Sequence, residues 1–175
     1  MTTSVLIGHY GHDMTRRRRH PSLVPFSHDH RDALGLAFRL HHPAPPGPVT
    51  AMTPASTPES RAADTVAFFA DHLVVHFRAE EDALFPFLRS RLADQPERLA
   101  LLDALTADHR ELEARRDAVA AATGDALAPA LTAFADLLET HVRREERELF
   151  EHFPDGVPPE DAHALGEDIR RLLGR

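Results

Sequence analysis

Residues 76–85 read His-Phe-Arg-Ala-Glu-Glu-Asp-Ala-Leu-Phe, and residues 141–150 read His-Val-Arg-Arg-Glu-Glu-Arg-Glu-Leu-Phe. The two stretches are copies of one pattern. Each sets a His and a Glu four apart in a helical segment, so His76 and Glu80 share one helix face, as do His141 and Glu145. Working outward, each copy is preceded by a shorter match, Asp29-His30-Arg31 and Asp108-His109-Arg110. The order His, then His-x-x-x-Glu, therefore runs through the chain twice. His30 and His76 are separated by 46 residues and His109 and His141 by 32; the difference of 14 is close to the length of a Pro-rich stretch over residues 43–57. The chain reads as two helical hairpins of one design, the first carrying an inserted loop.

The remaining segments follow from breakers and caps. A first helix is expected from near Ser27, or slightly before, to about His41, where Pro43 stops it; Phe26, His30, Leu34, Ala37 and His41 mark its face. A second starts with Thr57 as N-cap and Pro58 in its first turn. It runs to about Phe85, with a kink at Pro86, along the stripe Phe69, Leu73, His76, Glu80, Leu84, Phe87. The third begins after Asp94 and ends before Gly124, with Leu99, Leu102, Thr106, His109, Glu113 and Ala120 inward. The fourth spans about Ala126 to His152, with Phe134, Leu138, His141, Glu145 and Leu149 inward. Residues 159–173 form a short amphipathic helix with Ala162, Leu165, Ile169 and Leu172 inward. No strand-like alternation occurs. The fold class is all-α, an up-down-up-down four-helix bundle with a short fifth C-terminal helix. Residues 1–19 read as a flexible tail containing the run Arg16 to Arg19, residues 20–153 as the bundle, and 154–175 as a helix packed on it.

Composition narrows the chemistry. The 175 residues suit one domain with a real core. There is no cysteine but there are 13 histidines, so a metal must be held by nitrogen and oxygen, and thiolate zinc sites, iron–sulfur clusters and disulfides are excluded. A net charge of −8 argues against nucleic acid as partner. No apolar run approaches the roughly 20 residues of a membrane span, and the N-terminus lacks the order of a signal peptide; a cytoplasmic location is expected. A carboxylate on an apolar helix face costs several kcal/mol unless paired. Polar residues at matching heights on four helices, flanked by Phe and Leu, resolve that cost by sharing a metal, and the doubling suits two.

Together these residues resemble the hemerythrin-like, or HHE cation-binding, family. The resemblance covers roughly residues 20–153. It rests on Arg19-His20-Pro21-Ser22-Leu23-Val24-Pro25-Phe26-Ser27-His28-Asp29-His30 with Leu34, on His76-x-x-x-Glu80 followed by Leu84-Phe85-Pro86, on Asp108-His109, and on His141-x-x-x-Glu145 followed by Leu149-Phe150. It implies a four-helix bundle with a non-heme di-iron centre, which an oxo or hydroxo group can bridge. The implied ligands are His30, His76, Glu80, His109, His141 and Glu145, with the two Glu as bridging carboxylates. The implied partners are O2, NO or peroxide, with no nucleic acid or membrane, in a monomer or weak homodimer. Oxygen-carrying members have a second His on the third helix, four after the first; here that position is Glu113. They place the fourth-helix carboxylate five after its His; here positions four and five are Glu145 and Glu146. Fewer imidazoles and more carboxylate favour Fe(III), which points to sensing, iron handling or stress defence, with weak redox activity at most, rather than reversible oxygen transport. The competing reading is a structural or interaction bundle stabilised by a single divalent metal such as zinc.

Several residues compete for the site. His28 lies two before His30 but on the other side of the helix. His72 sits one turn before His76. Glu113 is a further ligand candidate, and Glu81 and Glu146 are expected on a solvated face.

Overall fold

The computed structural model describes residues 19–43 and 57–175. The tail before Arg19, with His9 and His12, and the linker between Pro43 and Thr57 lie outside the described residues. Within them every regular element is helical. No helix among them is long and apolar enough to cross a membrane.

The first helix, Val24–His41, is led in by a 3-10 turn at Pro21–Leu23, and Pro25 sits in its first turn where no backbone N–H is needed. Its inward face is Phe26, His30, Ala33, Leu36, Ala37 and Leu40. Leu34 and His41 lie at the edge of that face, half-buried.

Thr57 caps the second helix as its sequence demands, its hydroxyl accepting from the Ser60 N–H at 3.1 Å. This helix is a relay of α-helical Pro58–Phe68, Val74–Ala79 and Phe85–Arg91, joined by π-helical turns at Phe69–Leu73 and Glu80–Leu84. The second π turn explains why Pro86 does not end the helix. A proline ring collides with the carbonyl four residues back and donates no hydrogen bond. In the wide turn, the Phe85 N–H reaches the Glu80 carbonyl, five residues back, and Pro86 enters as the first turn of a new α segment. The first π turn also settles His72: Leu73 is buried and His72 is exposed, its ring tilted against Phe68 at 4.8 Å between centroids.

The third helix, Pro96–Ala121, buries Leu102, Leu105, His109, Leu112 and Val119. Leu112 and Val119 therefore take the inward places assigned by sequence to Glu113 and Ala120, because the stripe drifts around a 26-residue helix. Ala122 is extended and Gly124, at φ 56°, turns the chain into a short 3-10 lead. The fourth helix runs through α-helical Leu127–Arg144 into a π turn at Glu145–Phe150. The fifth is Pro159–Leu172.

Two apolar clusters fill the interior. One gathers Leu36 and Leu40, Phe69 and Phe77, Leu112 and Val119, and Leu131, Phe134 and Leu138. The other gathers Phe26, Leu84 and Phe85, Leu102 and Leu105, and Leu149 and Phe150, and adds Leu165 and Ile169 from the fifth helix. The buried His and Glu residues fall where each of the first four helices passes from one cluster to the other. They are thus walled off from water by apolar packing at both ends.

The fifth helix contributes Ile169, fully buried against the second cluster. Replacing Ile169 by Ala is expected to lower stability by about 2–5 kcal/mol. Val75→Ala, at a position 37% exposed, should stay within about 0.5 kcal/mol. Urea unfolding of the metal-free protein measures both; equal costs at the two positions would contradict the packing of the fifth helix.

Candidate metal centre

Each of the first four helices delivers one imidazole to the middle of the bundle. His30, His76, His109 and His141 are at most 2% exposed, and Glu80 and Glu145 are fully buried. The four-residue spacing does as the sequence requires: His76 Nε2 lies 3.4 Å from Glu80 Oε1, and His141 Nε2 lies 3.4 Å from Glu145 Oε2. Each carboxylate also reaches across to another helix. Glu80 Oε2 is 3.3 Å from His109 Nε2, and Glu145 Oε2 is 3.1 Å from His30 Nε2. Two groups of donors result, each compact enough for one ion. His30, His76, Glu80 and Glu145 form the first, and His109, His141, Glu80 and Glu145 the second, with ligand atoms within 4.8 Å of one another. Both Glu belong to both groups.

The polar accounting points the same way. Both oxygens of Glu80, both oxygens of Glu145, and the Nε2 atoms of His109 and His141 are buried without a hydrogen-bond partner. Buried polar atoms are almost always satisfied, and an unpartnered buried carboxylate is costly. His30 Nε2 and His76 Nε2 face each other at 3.2 Å. Nitrogen and carboxylate oxygen converging without a proton donor of their own is the arrangement a divalent or trivalent cation satisfies, so the residues present fit a metal.

The outer face of every imidazole meets a carboxylate that sequence reading had placed elsewhere or left without a role. His76 Nδ1 lies 3.1 Å from Asp29, His109 Nδ1 2.7 Å from Glu81, and His30 Nδ1 2.7 Å from Glu146. Asp108 approaches His141 Nδ1 at 3.6 Å, beyond a direct hydrogen bond. The carboxylates pass in one direction around the bundle: first helix to second, second to third, third to fourth, fourth to first. An Nδ1–H donated to a carboxylate turns the Nε2 lone pair inward and raises its basicity. Each carboxylate in turn pairs with an arginine: Asp29 with Arg175, Glu81 with Arg110 at 2.5 Å, Asp108 with Arg144 at 2.9 Å, and Glu146 with Arg19. The expectation that Glu81 and Glu146 lie on a solvated face is thus corrected: both are about three-quarters covered and hold an imidazole. The doubled Glu-Glu and Asp-His pairs were the signal that could have revealed them.

Among the competing residues, Glu113 points outward, its side chain 45% exposed and 3.4 Å from Arg110. His28 and His72 are exposed. None of the three joins either donor group.

Burial sets the charge states. It lowers His30 well below the usual histidine range and lowers His141 as well. For His76 burial also works downward, but the charge of Glu80 and the hydrogen bond to Asp29 outweigh it and raise it to about 9. Burial would raise Glu80, yet the charge of His76 and contacts from His109 and His76 hold it well below the carboxylate range. Burial and the charge of Glu80 together push Glu145 well up. The metal-free centre therefore favours a protonated His76 and shifts Glu145 toward its neutral form.

Beside His30, His76 and His141, a cavity of about 10 Å³ is lined by Ala33, Leu73, Phe77, Leu138 and Val142. That is space for about one water-sized molecule; Asp29 completes a lining that is otherwise apolar away from the three imidazoles.

No curated protein and no solved structure matches the chain. The family model described as hemerythrin HHE cation binding domain matches residues 25–153. That span takes in well over half of the 175 residues and contains all six clustered donors, and the chain belongs to the hemerythrin HHE cation-binding domain family.

Proposed function

We propose that this protein holds a di-iron centre and uses it to bind or react with O2, NO or peroxide, in sensing, iron handling or stress defence. The observation that carries the reading is the set of four unpartnered carboxylate oxygens on Glu80 and Glu145, placed between two pairs of imidazoles. In this reading His30 and His76 hold one ion, His109 and His141 the other, and Glu80 and Glu145 are shared. Bound there, iron supplies a one-electron redox couple and open coordination positions for a small ligand.

The rest is the work of the chain itself. Asp29, Glu81 and Glu146 fix the tautomer and orientation of three imidazoles. The two apolar clusters exclude water. The cavity beside His30, His76 and His141 has room for about one water-sized molecule and sets mostly apolar side chains around it. Reversible oxygen carriage fits less well. The position that supplies a fifth imidazole in the carriers is Glu113, which faces solvent beside Arg110. A centre poorer in imidazole and served by two anionic carboxylates stabilises the +3 state electrostatically, and the dry core enlarges that effect. The exchange of interior clusters along each helix supports an up-down-up-down bundle, and the proposal places the protein in the cytoplasm as a monomer or weak homodimer.

Metal content and an electronic spectrum test the reading. Two irons per chain with charge-transfer bands are expected; a single colourless ion would favour the bundle stabilised by zinc. After anaerobic reduction, exposure to air should oxidise the centre. An oxygen-dependent band that vanishes under vacuum and returns with oxygen would restore the carrier reading.

Substitution separates the donors from their supports. Glu80→Ala and Glu145→Ala should each lose most bound metal. Glu81→Ala and Glu146→Ala should retain the ions with affinity lowered about 10–100-fold. Metal analysis after dialysis against a graded chelator distinguishes these outcomes, and full loss at Glu146 would move the inner donor one residue along.

The protons held in the metal-free centre set a pH dependence. His76, raised to about 9, must lose its proton before Nε2 can bind a cation, and the upward shift of Glu145 adds proton competition in the same direction. Proton competition is strongest at low pH, so affinity should rise with pH by up to about tenfold per unit for each proton displaced, and flatten above the His76 value. Titration with Zn(II) in buffers of different ionisation enthalpy reads the released protons directly; a pH-independent affinity would exclude this competition.

A further inference from the structure

Of the four arginines behind the carboxylates, Arg110 and Arg144 belong to bundle helices, whereas Arg175 comes from the far end of the fifth helix, beyond the residues matched by the family. Its position is built, not incidental. Leu165 and Ile169 anchor the fifth helix in the core, at most 4% exposed. The helix packs against the segment Val74–Ala79, which carries His76, and against the π turn that follows it. It then ends in a paired cap: the Gly174 N–H bonds the Arg171 carbonyl at 3.2 Å and the Arg175 N–H bonds the Arg170 carbonyl at 2.9 Å. This is the Schellman arrangement, and it needs its turning residue in the left-handed region. Gly174 is there at φ 73°. The cap folds the chain back over the helix end and aims the Arg175 guanidinium at Asp29 Oδ1, while Asp29 Oδ2 takes the Nδ1–H of His76 at 3.1 Å.

We propose that Arg175 is a positioning residue for the metal centre: by gripping one oxygen of Asp29, the capped end of the fifth helix fixes the other oxygen on His76 and so tunes the His30–His76 half of the site from outside the family domain. The inference rests on the reading of His76 as a ligand. It assigns the fifth helix a part in metal retention, and it makes the two halves of the centre unequal, since Asp108, which stands behind His141, is held instead by Arg144 from within the bundle. Arg175 is 45% exposed on its side chain and Asp29 16%. A pair open to solvent on its arginine side contributes little to folding, so its loss should be visible in the site without unfolding the chain.

The test is a calorimetric titration of the metal-free full-length chain with Zn(II), alongside thermal melts without metal. Arg175→Gln is expected to weaken one of two binding steps about tenfold, the low end for residues behind a ligand, and to leave the other step and the metal-free melting temperature unchanged. Arg175→Lys, which keeps the cation but not the fork, should recover part of the loss. Asp29→Asn should weaken the same step, and adding Arg175→Gln to it should cost nothing further, because the arginine acts only through Asp29. Two intact steps in Arg175→Gln, additive losses in the double variant, or a matching fall in the metal-free melting temperature would each overturn the proposal. If the unsubstituted chain takes up no Zn(II), the ligand reading itself fails and this inference falls with it. If that chain binds two ions and Arg175→Gln is indistinguishable from it, only the inference fails.

Discussion

Two carboxylates held in the dry middle of the molecule, with no hydrogen-bond partner for any of their four oxygens, are the constraint that the rest of the structure answers. Solvent cannot repay the lost hydration of Glu80 and Glu145, and no arginine or backbone N–H comes near enough to do so. What does come near is imidazole, one from each helix of the bundle, each with its Nε2 directed inward. Packing alone does not account for such a choice: a bundle that only needed to be stable would place leucine at these six positions. The polar heart is affordable because a cation completes it.

The second tier of the design is the ring of acidic side chains behind the imidazoles. Each helix steadies the histidine of the next, so no helix can shift without misaligning a donor on its neighbour. The π turns contribute here. In both halves the wide turn begins at the inner glutamate, Glu80 or Glu145, and buries two consecutive apolar residues at its end, Leu84 with Phe85 and Leu149 with Phe150. The wide turn thus seals the floor of the site while Glu81 and Glu146, the next residues along, swing to the adjoining helix. Wide turns are common at functional sites.

Much of this was legible in the chain. The doubled His-x-x-x-Glu set the helical character of two segments and the inward face of each, and the cap at Thr57 and the break after Asp94 located two helix starts. The six inner residues were all identifiable from spacing and duplication. What escaped was of two kinds. The π turns depend on hydrogen bonds to the fifth residue back, a choice made by tertiary packing and invisible to 3.6-residue periodicity; they are why Pro86 does not interrupt and why His72 faces outward. The outer carboxylates escaped because each acts on a helix other than its own. Asp29 was read as a neighbour of His30, yet it serves His76, and Glu146 was read as surface, yet it serves His30. Sequence proximity misleads wherever the partner lies across the bundle.

The carboxylate ring has a symmetry that the chain as a whole lacks. Exchanging Asp29 with Asp108, His30 with His109, His76 with His141, Glu80 with Glu145 and Glu81 with Glu146 maps each outer carboxylate onto its counterpart, much as across the isologous interface of a two-fold dimer, although Asp108 stands 3.6 Å from His141 where Asp29 lies 3.1 Å from His76. The symmetry stops one layer out. Arg110 follows His109 and pairs with Glu81, but Arg31, its counterpart after His30, gives way to Arg19 at Glu146. The core of this protein thus resembles a dimer of hairpins fused into one chain, in which the two copies keep one plan while the charge states of the inner residues, the reach of Asp108 and the arginine layer set them apart.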